Sequence, residues 1–154
     1  QLGRARAGGA SRFAPPVPVG PVLARVQAAL AKVYQDKGVA ITASCDPALA
    51  WRIDEGDLFE ILGNTMDNAA KWSRSRVEVS AVKEGERLVL RVDDDGPGFS
   101  DTESILRMHV RMDERVPGHG VGLTVVDEIV RSHHGELRLG ASPLGGARVE
   151  MLLG

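Results

Sequence analysis

Apolar residues recur along this chain with two different periods, and each change of period marks a change of element. Leu23, Val26, Leu30 and Val33 stand three or four positions apart after Pro21. That is one face of a helix, begun by proline and stopped near Gly38. "GVAITAS" and "ALAWRI" then read as two short strands. From Asp54 the helical period returns, with Leu58, Leu62, Met66 and Ala69 on one side and Glu60, Asn64, Asn68 and Lys71 on the other. "SRVEVSAV" and "ERLVLRV" alternate apolar and polar residues around a charged turn at Lys83 to Gly85, the pattern of a half-buried hairpin.

The hairpin ends abruptly in "DDDGPGF", and residues 99 to 117 show no core stripe. They read as a mobile loop or partial helix, and loops this long inside compact domains are usually functional. After "PGHGVGL", Leu123, Val126, Ile129 and Val130 mark a third helix that ends near "HHG". Two final strands, "GELRLGA" and "ARVEMLL", flank "SPLGG". The sum predicts an α+β fold with helices on one face of a largely antiparallel sheet.

Composition narrows the partners. A chain of 154 residues is one domain by length, able to bury about two thirds of its unfolded surface. Its net charge of −2 supplies no global field for nucleic acid or acidic lipid, so any anion site must be local. No apolar run approaches the ~18 residues of a membrane-spanning helix, and nothing resembles a secretory signal. The single Cys45 has no partner within the chain, suits a reducing cytoplasm and reads as a bystander. The opening "QLGRARAGGASRFAPPVPVG" lacks apolar periodicity and reads as a linker over residues 1–20, with the domain at 21–154 and the whole as an excised piece.

Three polar constellations carry the chemistry. Asp94, Gly96 and Gly98 sit where a strand stops. The bland reading is a surface turn. The sharper one is a carboxylate that accepts a hydrogen bond from the exocyclic amine of adenine, with glycines letting backbone approach a flat ring. Such a charge-assisted bond is worth about 1.5–3 kcal/mol, enough to select the base but not to hold a nucleotide alone. In "GHGVGL", Gly118, Gly120 and Gly122 alternate directly before a helix whose free N–H groups can receive an anion. Leu123 stands where a dinucleotide fingerprint needs its third glycine, and no GxxxxGK[ST] loop exists. Asn64, Asn68 and Lys71, at i, i+4 and i+7, offer amide oxygens for a hard cation such as Mg²⁺ and an ammonium for phosphate. A merely solvated helix face would favour Glu, Lys or Gln over two asparagines.

Taken together, "NAAKW", "DDGPGF", "GHGVGL" and the terminal "LGGARVEMLLG" resemble the N, G1 and G2 boxes and C-terminal strand of sensor histidine kinase ATP-binding domains, in particular the PhoQ-like kinases. These belong to the gyrase, Hsp90, histidine kinase and MutL superfamily, and the resemblance runs from residue 21 to 154. It implies a Bergerat-type two-layer α/β sandwich with three helices on one face and a mobile ATP lid. It assigns Asp94 to adenine, with Gly96, Gly98 and Phe99 shaping the pocket; Trp72 stands in place of the common Tyr or Phe, either beside the nucleotide or in the core. It assigns Asn68, helped by Asn64, to Mg²⁺, and Lys71 to phosphate. Gly118, His119, Gly120, Val121, Gly122 and Leu123 would wrap the triphosphate.

Departures from the pattern are specific. His119 replaces the usual Gln. The expected lid phenylalanine is missing near Leu106. Val116 occupies the usual lid arginine position, which leaves Arg115 or Arg111 to hold the γ-phosphate. Hydrolytic relatives place a glutamate base where this chain has Asn64, so phosphoryl transfer fits better than hydrolysis. The resemblance thus implies a cytoplasmic protein-histidine kinase domain of a two-component system, using ATP and Mg²⁺. Its partners would be a histidine-bearing dimerisation domain and a response regulator, with no nucleic acid and no direct membrane contact. The 1–20 segment could be the end of that dimerisation helix, the fragment alone a monomer and the intact protein a homodimer. The rival readings are an ATP-hydrolysing switch of the gyrase or Hsp90 kind and a nucleotide-insensitive scaffold.

Overall fold

The computed structural model describes residues 15–98 and 121–154, with the side chains of residues 121 and 122 outside that description. In chain order the elements are β1 (Val17–Pro18), α1 (Val19–Val33), β2 (Ala40–Cys45), β3 (Ala50–Trp51), α2 (Glu55–Trp72), β4 (Arg76–Glu84), β5 (Arg87–Asp94), α3 (Val121–Ser132), β6 (Glu136–Ala141) and β7 (Ala147–Leu153). Five strands form one sheet in the order β2-β4-β5-β7-β6. The β2·β4 pair is parallel and the other three are antiparallel. β1 and β3 form a separate two-stranded sheet.

The apolar stripes read from the sequence become a single core. Leu58, Leu62 and Met66 of α2 are fully buried, as are Val126, Ile129 and Val130 of α3, and they meet Val77, Leu88, Leu90, Val92 and Met151 of the sheet. Each such side chain contributes about 1.5–3 kcal/mol on burial. α2 packs between α1 and α3, so three helices cover one face of the sheet in two layers. This is the α+β sandwich expected from the pattern.

Two expectations are corrected. The linker boundary at residue 20 cuts through folded chain: Val17 and Pro18 pair with Trp51 and Ala50, Val19 N–H donates to Leu49 C=O (3.1 Å), and Val19 and Val22 are core residues. A two-residue strand is too short to show a period, which is why it reads as linker. Val33, placed on the core stripe, is 68% exposed. It is the last residue of α1, and the chain leaves through Tyr34 toward Gly38, whose positive φ of 77° turns it into β2.

α2 starts cleanly. Asp54 caps it by accepting a hydrogen bond from Asp57 N–H (3.0 Å), an arrangement worth about 1 kcal/mol. Asp57 binds it to the turn that follows α3: His133 Nε2 lies 3.1 Å from Asp57 Oδ2, and both side chains are buried. This pair pins the N-terminal end of α2. The candidate site lies at the opposite end.

Candidate functional site

β5 delivers three consecutive aspartates to the end of the sheet, and the alternation of a strand gives them different neighbours. Asp93 points away from the helices and receives Arg148 of β7 in a two-point pair, Nε to Oδ1 at 2.8 Å and Nη2 to Oδ2 at 3.1 Å. Asp95 folds back over the α2–β4 connection. Its carboxylate accepts from the N–H groups of Arg74, Ser75 and Arg76 and from the Ser75 hydroxyl. Burial alone would raise its pKa, but these donors outweigh it and hold the group well below the usual carboxylate range.

Asp94 lies between them on the helix side and is only 5% exposed. Gly96 N–H (2.8 Å) and Ala147 N–H (3.2 Å) both donate to its Oδ1. Among the described residues no cation sits beside it. Burial pushes its carboxyl above the ordinary range, Asp95 and Asp93 add to the rise, and the two N–H groups only partly counter it. Asp94 is thus a buried strand-end residue rather than an exposed turn residue, and its Oδ1 bond to Gly96 N–H is the contact of an Asx turn within that burial.

Glycines are what let backbone close around this carboxylate. A Cβ on Gly146 would overlap Asp94 Oδ1 and stand 2.5 Å from the Asp94 carbonyl oxygen and from Gly96 N. One on Gly96 would overlap the Trp72 carbonyl oxygen. Gly98 adopts φ of 80° against Gly146, a conformation that favours glycine. The Asp94 loop is thus pressed between the C-terminus of α2 and the start of β7. Gly146 and Ala147 were not among the residues singled out from the sequence as site residues. They stand in "LGGARVEMLLG", but nothing local says that Ala147 meets an acid 53 residues earlier.

The α2 stripe ends beside this loop. Asn64, Asn68 and Lys71 are all half-buried, on the side of the helix away from the fully buried Leu58, Leu62 and Met66. The Asn64 amide nitrogen donates to Glu60 C=O at 2.9 Å. Only the nitrogen can serve a carbonyl, so the side-chain oxygen is the group left to face a ligand. That is the donor type a hard divalent cation takes. Trp72 closes the helix and is 49% exposed, so it is not a core residue. Leu123 is buried within α3. Phe99, Arg111, Arg115, Gly118, His119 and Gly120, and the lid at 99–117, lie outside the described residues, as do the side chains of Val121 and Gly122.

Cys45 closes β2 near Asp46, away from these groups. Burial and then Asp46 push its thiol up, which suppresses the nucleophilic thiolate and fits a bystander.

The comparisons with known proteins bear on the family and the fold. The family model described as "Histidine kinase-, DNA gyrase B-, and HSP90-like ATPase" matches residues 53–154. The sensor protein PhoQ of Escherichia coli O157:H7 is 42% identical over 139 residues, covering 89% of this chain and 29% of PhoQ. This chain therefore spans under a third of the curated relatives it matches. The mycobacterial sensor histidine kinase MprB superposes with a TM-score of 0.75 at 27% identity, covering 90% of this chain and 95% of that one. The ATP-binding domain of PrrB from Mycobacterium tuberculosis gives 0.67 at 28% identity, covering 90% and 94%. The chain belongs to the histidine kinase-, DNA gyrase B- and HSP90-like ATPase family, as an ATP-binding catalytic domain of the sensor histidine kinase kind.

Proposed function

We propose that this domain binds Mg·ATP between α2 and the Asp94 loop and delivers the γ-phosphoryl group to a histidine on a dimerisation domain, for onward transfer to a response regulator. The observation that carries the reading is Asp94, a buried carboxylate with Oδ1 already committed to two backbone N–H groups. Its Oδ2 is left for the exocyclic amine of adenine. Guanine presents a carbonyl oxygen at that place and is repelled.

The remaining residues take roles by position. Gly96, Gly98 and Gly146 keep backbone low around the base. Trp72, half exposed beside Gly96, flanks the adenine pocket. Asn64 and Asn68 supply amide oxygens that suit Mg²⁺, which when bound would neutralise phosphate charge. Lys71, on the same stripe, neutralises phosphate directly. The N-terminus of α3, with Gly118, His119, Gly120, Val121, Gly122 and Leu123, is assigned to the triphosphate, Phe99 to the pocket edge and Arg111 or Arg115 to the γ-phosphate. Asn64 is no general base, because a neutral amide does not take a proton from water. Transfer to a protein acceptor therefore fits this helix better than the hydrolytic cycle of the gyrase and Hsp90 branch. Among the described residues no helix is long and apolar enough to cross a membrane.

Calorimetric titration tests the reading. The parent is expected to bind Mg·ATP with a micromolar-to-millimolar constant, and Asp94→Asn to bind at least about tenfold more weakly, the loss of one charge-assisted hydrogen bond. Equal binding by both would remove Asp94 from the site. Without an acceptor domain the chain is expected to bind ATP yet acquire no phosphate, and adding that domain in trans should restore transfer.

A further inference from the structure

The four C-terminal carbonyls of any α-helix lack partners within it, and in α2 these groups sit next to the nucleotide site. Ala69 C=O accepts from Ser73 N–H at 2.8 Å. Ala70 C=O accepts from the Ser73 hydroxyl at 3.0 Å. The rest of the capping comes from a different element. Lys37, in the turn after α1, donates its ammonium to Ala70 C=O at 2.8 Å and to Lys71 C=O at 2.6 Å. The Trp72 carbonyl then packs where a Cβ on Gly96 would be.

One turn back, the Tyr34 hydroxyl donates to Asp67 Oδ1 at 2.6 Å. Burial, followed by the Asp67 hydrogen bond and charge, pushes the phenol well above its ordinary range, so it remains a donor. Asp67 and Lys71 flank Asn68 on α2. Gly38, at φ of 77°, donates its N–H to Tyr34 C=O and Gln35 C=O and fixes the turn that presents Lys37. Lys37 is otherwise exposed, and a lysine on the surface of a turn needs no such partners.

From this we infer that Lys37, assisted by Tyr34, is a positioning residue for the nucleotide site. It touches neither base nor phosphate. It holds the C-terminal turn of α2 at a set height against the Asp94 loop, and so sets the distance between the adenine-binding carboxylate and the stripe of Asn68 and Lys71. A cation at a helix C-terminus is favourable in its own right. The functional consequence is coupling: a ligand that must reach both halves depends more on Lys37 than one that occupies only the adenine half. The inference rests on the proposed ATP site.

The test compares two ligands. ATP with Mg²⁺ spans the site, and adenosine occupies only the adenine half. Lys37→Met keeps the length of the side chain and removes its donors. It is expected to weaken Mg·ATP binding about fivefold, in keeping with the energies of such caps, and adenosine binding by clearly less. Lys37→Arg should restore ATP binding, since a guanidinium can also serve two carbonyls. Tyr34→Phe should show the same selectivity with a smaller loss. Equal losses for both ligands, or none for either, would overturn the inference while Asp94→Asn still tests the site. A parent that binds no ATP would remove both.

Discussion

The two ends of α2 each present a buried aspartate, and they are buried for opposite reasons. Asp57, 2% exposed at the N-terminal end, faces the ring of His133 just after α3. Asp94, 5% exposed beside the C-terminal end, faces two backbone N–H groups and no cation among the described residues. Desolvating a carboxylate is costly unless another group compensates. At Asp57 the fold supplies that group, and the result is a fastening between two helices. At Asp94 the fold supplies only part of it, two backbone N–H groups. Under the proposed function, the partly compensated acid stands at the ligand end of the helix and the paired one at the structural end.

The comparison breaks first, and most severely, at His133. Removing the ring takes away the buried carboxylate's partner on the His133 side, a change that costs on the order of 3 kcal/mol. His133→Ala should lower the urea midpoint accordingly, yet the fraction that remains folded should bind ATP with parental affinity. A binding defect measured well below the unfolding transition would show that the fastening reaches the site.

What the sequence disclosed follows the same division. The helix stripes at 58–69 and 123–130 and the strand alternations at 76–94 were legible because a period is a local property, repeated often enough to be counted. The polar stripe Asn64, Asn68 and Lys71 was legible for the same reason. Asp94 was singled out by the family resemblance of its motif, but that Asp95 beside it caps the α2–β4 connection was visible only in the contacts. Gly146 and Lys37 were missed because their meaning lies in contacts with chain far away, at Asp94 and at Ala70 and Lys71. Val33 failed in the opposite sense, as a residue that fits the stripe but sits at the exposed last position of α1.

A smaller break is expected at Gly146. An added methyl overlaps Asp94 Oδ1, and the nearest alternatives are backbone atoms that cannot rotate away. Overpacking of this kind costs about 1–3 kcal/mol. Gly146→Ala should therefore lose stability and lose adenosine binding together, unlike His133→Ala, because here the strained atoms are the proposed recognition atoms. A Gly146→Ala domain that binds adenosine normally would mean that the β7 start can shift without moving Asp94, and that the pocket is wider than the close contacts imply.

The subtlest expectation concerns pH, and it separates neighbours in sequence. Asp94 has a pKa raised in the folded domain, so its ionised form costs stability, and acidification relieves that cost. Asp95 has a depressed one, so its hydrogen bonds contribute stability above its unfolded value of about 3.9, and that contribution is lost as pH falls below it. Between neutrality and that value, acid should leave the fold intact while neutralising Asp94, which as a carboxylic acid no longer matches the adenine amine as well. Adenosine is the probe of choice, because phosphate groups protonate in the same interval. Its affinity for the parent should decline before the urea midpoint does, and the weak residual binding of Asp94→Asn should stay flat across the same range. That variant, which keeps an acceptor oxygen for Gly96 and Ala147 and removes a desolvated charge, should also be no less stable than the parent. If binding and stability fell in step, or if Asp94→Asn were the less stable protein, the charge at Asp94 would be serving the fold, and the contrast with Asp57 would disappear.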